Sequence, residues 1–196
     1  RIGLLAVCIN TRTNSNEMRV VFENTKPKAL FFQSSFEKHV DDLRDLIQAN
    51  QLYSIDYASI SSISFDQLVD KNSSSLKDPQ PSIDEGWLII PTAAVGGVPK
   101  GALLSQRNIL ASVAIHLHHF GRKAIKCHLV ALPIFHIMGL TSVWATFISG
   151  GKNVVLKEFD KNKALKLIDD EKLTYFGSFP PVLERILDTA KEIGSK

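Results

Sequence analysis

Between positions 91 and 101 the chain reads Pro91-Thr92-Ala93-Ala94-Val95-Gly96-Gly97-Val98-Pro99-Lys100-Gly101, a run whose residue types suit anion binding. Gly96 and Gly97 permit positive φ and close backbone approach, so that successive N–H groups can point at one anion. Lys100 would add a compact positive charge and Thr92 a hydroxyl. The run is not a Walker A loop, which needs G-x-x-x-x-G-K followed by Ser or Thr, because Pro99 precedes the lysine and Gly101 follows it. Taken alone, such a stretch also describes a surface turn with a solvated lysine.

A second suggestive segment is Pro133-Ile134-Phe135-His136-Ile137-Met138-Gly139. By itself His136 reads as a near-core histidine held by a hydrogen bond. The other five histidines, including His116, His118 and His119, have no Cys or carboxylate partner at metal-ligand spacing and are expected on helix surfaces, with no metal site. Cys8 and Cys127 lie in or beside apolar stretches without CxxC spacing, and are expected to be buried free thiols in a reducing cytoplasm.

The elements that must position these residues alternate between strand and helix. Leu4 to Ile9 reads as a short buried strand, and Asn14 with Glu17 makes an N-cap and N3 pair before Met18, Val21 and Phe22. Ala29 to Phe32 is a second strand, followed by a helix through Phe36, Val40, Leu43 and Ile47 that ends near Asn50. Tyr53 to Asp84 shows weak periodicity and reads as a surface connection. Trp87 to Ile90 is a strand, the Gly- and Pro-containing loop runs to Gly101, and Ser105 caps a helix bearing Ile109, Leu110, Val113 and Leu117. After Gly121 come a strand at Leu129 to Leu132, an apolar segment from Ile137 to Ile148, and a strand at Asn153 to Leu156. A helix capped by Asp160, a strand at Tyr175 and Phe176, and a helix opened by Pro180 and Pro181 complete the pattern. Such alternation predicts an α/β fold of largely parallel sheets flanked by helices, with ligands beyond the carboxyl ends of the strands.

The 196 residues are 44% hydrophobic and 22% charged, the composition of a globular chain with a real core. A net charge of +3 without a Lys/Arg run gives no footprint for nucleic acid or a membrane surface. No apolar run approaches the roughly 20 residues that span a bilayer. The opening residues have neither an initiating Met nor a signal-peptide pattern, so the chain is expected to begin within a longer protein.

With these segments in order, the chain resembles the AMP-forming acyl-CoA synthetases of the adenylate-forming superfamily. Thr92, Gly97, Pro99, Lys100 and Gly101 fall on matching positions of the family loop T-S-G-T-T-G-x-P-K-G. Leu132 to Leu140 resembles its L-P-x-F-H-x-x-G-L segment, Gly150 to Glu184 its strand, helix, strand and P-P-x-L-E, and Val7 to Phe32 its early N-x-R-x-x-x-x-E-M and K-A-L-F stretch. The resemblance implies a parent enzyme that activates a carboxylic acid with ATP and Mg²⁺ to acyl-AMP and passes the acyl group to CoA. It implies that Thr92, Ala93, Ala94, Val95, Gly96, Gly97 and Lys100 embrace the ATP phosphates, and that His136, Phe135 and Gly139 belong to the acyl pocket. It also implies parts of the two α/β subdomains of the family's AMP-binding N-terminal domain, here 1–121 with the loop and 122–196 incomplete.

Two departures shape the expectations. Ala93, Ala94, Val95 and Gly96 stand where the family carries Ser, Gly, Thr and Thr, leaving Thr92 as the loop's one hydroxyl. A non-catalytic nucleotide- or acyl-binding module with a degenerate loop is therefore the alternative to a working ligase. The family's metal and adenine segment, ribose-binding aspartate and late lysine find no counterpart in these residues, so the catalytic and Mg²⁺-binding groups are expected outside them. The chain alone is expected to be inactive, and its uncovered edges to favour self-association.

Overall fold

Helix α1 (Ser15–Thr25) begins at the expected cap. The Asn14 side chain accepts from the Glu17 N–H, the Glu17 carboxylate accepts from the Asn14 N–H, and Met18 and Phe22 are buried one turn apart. The reciprocal pair satisfies two N–H groups that a helix start leaves without partners. These elements belong to a computed structural model that describes residues 3–57, 62–71, 81–92 and 100–192.

In the first unit, Arg1–Leu104, two small sheets carry the strands. β1 (Ala6–Val7) runs parallel to β5 (Gly86–Pro91), with Ala6 opposite Leu88, and β6 (Gly101–Ser105) lies on the other side of β5. The other sheet is parallel in the order β2 (Leu30–Phe32), β3 (Leu52–Ser54), β4 (Ile63–Ser64). Between β2 and β3, the helix expected through Ile47 is reduced to α2 (Glu37–Asp41) between 3₁₀ turns. Arg19 explains the early stop in part, since its guanidinium donates to the Asp42 carbonyl and pairs with Asp45, taking up an oxygen that a longer helix would use internally. The expected apolar face survives: Val40, Leu43 and Ile47 are buried with Met18, Phe22, Phe32 and Leu52.

Residues 53–84 hold more structure than their weak periodicity suggests, namely the end of β3, β4 and helix α3 (Phe65–Lys71). Two- and three-residue strands are too short to show a period. Ser54, fully buried, further masks the pattern, and its hydroxyl donates to the Tyr57 carbonyl.

The second unit is Ser105–Lys196. Ser105 caps α4 (Gln106–Phe120), its hydroxyl accepting from the Asn108 N–H. β7 (Cys127–Val130) and β8 (Lys152–Val155) pair in parallel, with Leu129 opposite Val154, and α5 (Ile137–Ile148) connects them. Asp160 caps α6 (Lys161–Asp170) through the Lys163 N–H at 2.7 Å, and α7 (Pro180–Glu192) starts at the proline pair. The strand expected at Tyr175 and Phe176 is a single parallel bridge from Tyr175 to His128. Leu129, Ala164 and Ile186 form the buried centre. By contact α4 thus belongs to the second unit, while the boundary read from the sequence lies at its far end, at Gly121 with φ 80°.

Candidate functional site

β5 delivers Thr92 and β6 takes up the chain again after Lys100. The Thr92 N–H donates to the Lys100 carbonyl at 2.7 Å, and the Thr92 hydroxyl lies 3.1 Å from the same oxygen as its donor. The two bonds close the neck of the loop. Because a threonine hydroxyl has one proton, that proton is engaged with Lys100 in this arrangement and offers a phosphate no donor. The Lys100 side chain is exposed at the neck. Ala93, Ala94, Val95, Gly96 and Gly97 lie outside the described residues.

The segment after β7 turns into α5 at His136, which is the N-cap residue, with extended backbone at φ −103° and ψ 143°. Its Nδ1 accepts from the Met138 N–H at 3.5 Å, the long limit of a hydrogen bond, and the ring is exposed. Phe135 is half-buried and Gly139 is buried in the first turn of α5. Gly139 allows this turn to sit on the backbone of Leu132 and Pro133, since a Cβ there would stand 2.3 Å from the Pro133 carbonyl oxygen.

Beside this segment the second unit contains a cavity of about 500 Å³. Leu132, Ile137, Met138 and Ser142 line one side, and Ser112, His116 and Phe120 of α4 line another. Tyr175 and Gly177 close it further, while Phe135, His136 and Gly139 are not among the lining residues. The Tyr175 hydroxyl abuts Gly177, where a Cβ would stand 2.8 Å from it.

His116 corrects the expectation of a helix-surface histidine. Its ring centroid lies 4.7 Å from that of Phe120 and 5.5 Å from that of Tyr175. Its Nε2 is buried without a hydrogen-bond partner, whereas His118 and His119 are exposed. The sequence held the signal: His116 follows Ile109 and Val113 on the buried stripe of α4 at helical spacing. Burial, and after it the nearby His119, holds the His116 imidazole below the usual histidine range.

Behind the cavity His128 is 3% exposed, and its Nδ1 donates to Asn153 Oδ1 at 3.0 Å. The amide orientation is set by Asn153 Nδ2, which donates to the Val143 carbonyl at 3.2 Å. Burial pushes the His128 pKa down, the Asn153 bond opposes it, and His116 adds repulsion. Tyr175 is pushed up by burial, with a side-chain hydrogen bond to Ser142 acting the other way.

Cys8 and Cys127 are both free thiols, Cys127 buried and Cys8 half-buried, with burial raising the Cys8 pKa. Among the described residues no group of three His, Cys, Asp or Glu side chains could hold a metal ion, and no helix is long and apolar enough to cross a membrane.

Residues 1–196 match the family model described as AMP-binding enzyme. The chain is 31% identical over 191 residues to an indoleacetate–CoA ligase of Aromatoleum aromaticum, covering 95% of this chain and 37% of that protein. It is 24% identical over 188 residues to the long-chain-fatty-acid–CoA ligase FadD13 of Mycobacterium tuberculosis, covering 93% and 36%. The chain thus spans little more than a third of these curated relatives. Among solved structures, a Rhodopseudomonas palustris protein assigned as a long-chain-fatty-acid CoA ligase superposes with a TM-score of 0.87 at 28% identity, over 95% of this chain and 47% of that one. The O-succinylbenzoate coenzyme A synthetase of Bacillus subtilis, solved with ATP and magnesium ion, shares the fold at a TM-score of 0.79 and 24% identity, over 95% and 36%.

Proposed function

Because this chain belongs to the AMP-binding enzyme family, we propose that it is the phosphate-loop and acyl-pocket portion of a cytoplasmic AMP-forming acid–CoA ligase. In this reading the whole enzyme joins a fatty or aromatic acid to ATP, releasing pyrophosphate, and passes the acyl group from acyl-AMP to the CoA thiol. The observation that carries it is the loop's position: it leaves β5 at Thr92 and returns to β6 at Lys100, with the neck closed and the lysine exposed. Lys100 supplies charge to the β- and γ-phosphates, and backbone N–H groups from Ala93 to Gly97 supply donors in place of the family's hydroxyls. His136 sits at the start of α5, where the positive end of the helix dipole favours an anionic group such as the acid's carboxylate. Phe135 and Gly139 shape that end of the pocket. Mg²⁺ would neutralise phosphate charge from ligands outside these residues, and so would the remaining catalytic groups, so that the 196 residues alone complete no adenylation. The domain division at Gly121 and self-association through uncovered edges belong to the same reading.

A second reading, a non-catalytic nucleotide- or acyl-binding module, is favoured by one observation. The loop's remaining hydroxyl, that of Thr92, is engaged with the Lys100 carbonyl.

Isothermal titration of ATP with Mg²⁺ into the full-length protein and its Lys100→Ala variant, without acid, separates the two. A loss of at least about 1.5 kcal/mol in the variant, the scale of a charged hydrogen bond, is expected for a working phosphate loop. Absence of binding in both, with both folded, would favour the non-catalytic module.

A further inference from the structure

The topology fixes the two ends of the cavity in the second unit. β7 runs from Cys127 to Val130, and α5 begins beyond its carboxyl end and runs back along it, because this helix is the crossover to the parallel strand β8. Ile137 and Met138, lining residues next to His136, therefore stand at the carboxyl end, beside the proposed carboxylate site. Tyr175 bridges in parallel to His128, the second residue of β7, so it stands near the amino end, and the chain after it runs toward the carboxyl end through Gly177 and Ser178. We propose that Tyr175 is the floor of the acid's tail site and sets the longest tail that the enzyme accepts. The inference rests on the acid–CoA ligase reading and names, within its site, a residue that determines specificity.

A residue that limits length has to resist displacement, and Tyr175 is held by both its backbone and its side chain. Its N–H donates to the Cys127 carbonyl at 3.0 Å and its carbonyl accepts from the Leu129 N–H at 3.1 Å, which ties it to β7. Its ring centroid lies 5.0 Å from that of His128, 5.3 Å from that of Phe120 and 5.5 Å from that of His116. The side chain also shares a hydrogen bond with Ser142 of α5, whose hydroxyl donates to the Met138 carbonyl at 2.9 Å. A ring so surrounded moves only with its neighbours, since packed interiors transmit strain rather than absorb it.

Gly177 is the counterpart of this arrangement. A Cβ there would stand 2.8 Å from the Tyr175 hydroxyl oxygen and 3.3 Å from its Cζ. Gly177 is not among the glycines with positive φ, so an alanine there meets the phenol rather than backbone strain. With the rings of His128, Phe120 and His116 already against it, the phenol has the cavity as its free side, and an added methyl pushes it inward. Each methylene of a tail that fits gains by leaving water, whereas one that reaches the phenol must displace packed side chains. The two positions thus act in opposite directions: a smaller residue at 175 deepens the site, and a larger one at 177 makes it shallower.

The test measures pyrophosphate release by the full-length enzyme with ATP, Mg²⁺ and CoA over two series, straight-chain acids from butanoic to hexadecanoic and ω-phenylalkanoic acids from phenylacetic to phenyloctanoic. In at least one series the wild type is expected to show a length beyond which kcat/KM falls by about tenfold or more, the scale on which a pocket distinguishes one methylene. Tyr175→Leu should move that limit to acids longer by about two carbons, and Gly177→Ala should move it to shorter ones. Each limit is a ratio between acids on one enzyme sample, so a variant that is merely less stable does not shift it. A wild type without a limit in either series, or a limit that either folded variant leaves in place or moves the other way, overturns the inference. If Tyr175→Leu does not fold, Gly177→Ala, the smaller change, decides. Failure of every acid, with ATP bound, would remove the ligase reading itself and the inference with it.

Discussion

Gly139 illustrates how the start of a helix can depend on the absence of a side chain. A Cβ at this position would meet the Pro133 carbonyl oxygen at 2.3 Å, the Pro133 carbonyl carbon at 2.8 Å and the Leu132 oxygen at 3.0 Å, all backbone atoms that cannot rotate aside. Gly139→Ala is therefore expected to lift the first turn of α5 and to lower stability by about 1–3 kcal/mol, the cost of overpacking, as read from a denaturant midpoint. An unchanged midpoint would show that this turn can move freely. The resemblance named Gly139, Phe135 and His136 for the acyl pocket; they stand at the start of α5, outside the lining of the cavity beside it. His116 was legible too, but only to a reader who extended the Ile109 and Val113 stripe by one more turn. The engagement of the Thr92 hydroxyl was not legible, because it depends on β6 bringing Lys100 back to the neck.

Among the elements, helices announced by caps were readable: Asn14, Ser105, Asp160 and the Pro180-Pro181 pair each stand where a helix begins. Strands β3, β4 and β6 were missed because polar residues break their apolar runs, Ser54 in β3, Ser64 in β4 and Ser105 in β6, whereas the equally short β1 and β2 lie in unbroken apolar stretches. The parallel pairing of β7 with β8 sets His128 directly opposite Asn153 and buries it as a neutral, hydrogen-bonded ring. Its pKa is lowered by burial, so below the ordinary histidine value of 6.5 the unfolded chain binds more protons than the folded one. The stabilising contribution is therefore complete above that value and declines as pH falls through it. Thermal unfolding of the full-length protein should show a lower midpoint at about pH 5.5 than at about pH 7.5. His128→Gln should reduce that difference without abolishing it, because the His116 pKa is lowered in the same direction. A pH difference unaffected by the substitution would assign the effect elsewhere.

For the whole molecule, the alternation of strands and helices sufficed to give largely parallel sheets flanked by helices, and ordered motifs along the chain carried the family. The division by contact was harder to see, since α4 is joined to β6 with no intervening linker: Ser105 both ends the strand and caps the helix. Each unit has its own buried cluster, one around Leu43 and one around Leu129. Leu43→Ala, at a position with 0% exposure, should cost about 2–5 kcal/mol and lower hydrogen-exchange protection in β2, α1 and β3 while leaving β7 and α5 protected. Equal loss in both units would mean that they unfold as one. The closed neck at Thr92 and Lys100 bears on how such a chain changes over generations. Both bonds that tie the ends of the loop, from the Thr92 N–H and hydroxyl to the Lys100 carbonyl, use atoms of those two residues alone. These two bonds ask nothing of the side chains from 93 to 99, and Ala93, Val95 and Gly96, which stand where the resemblance places hydroxyls, bear on what the loop offers a ligand.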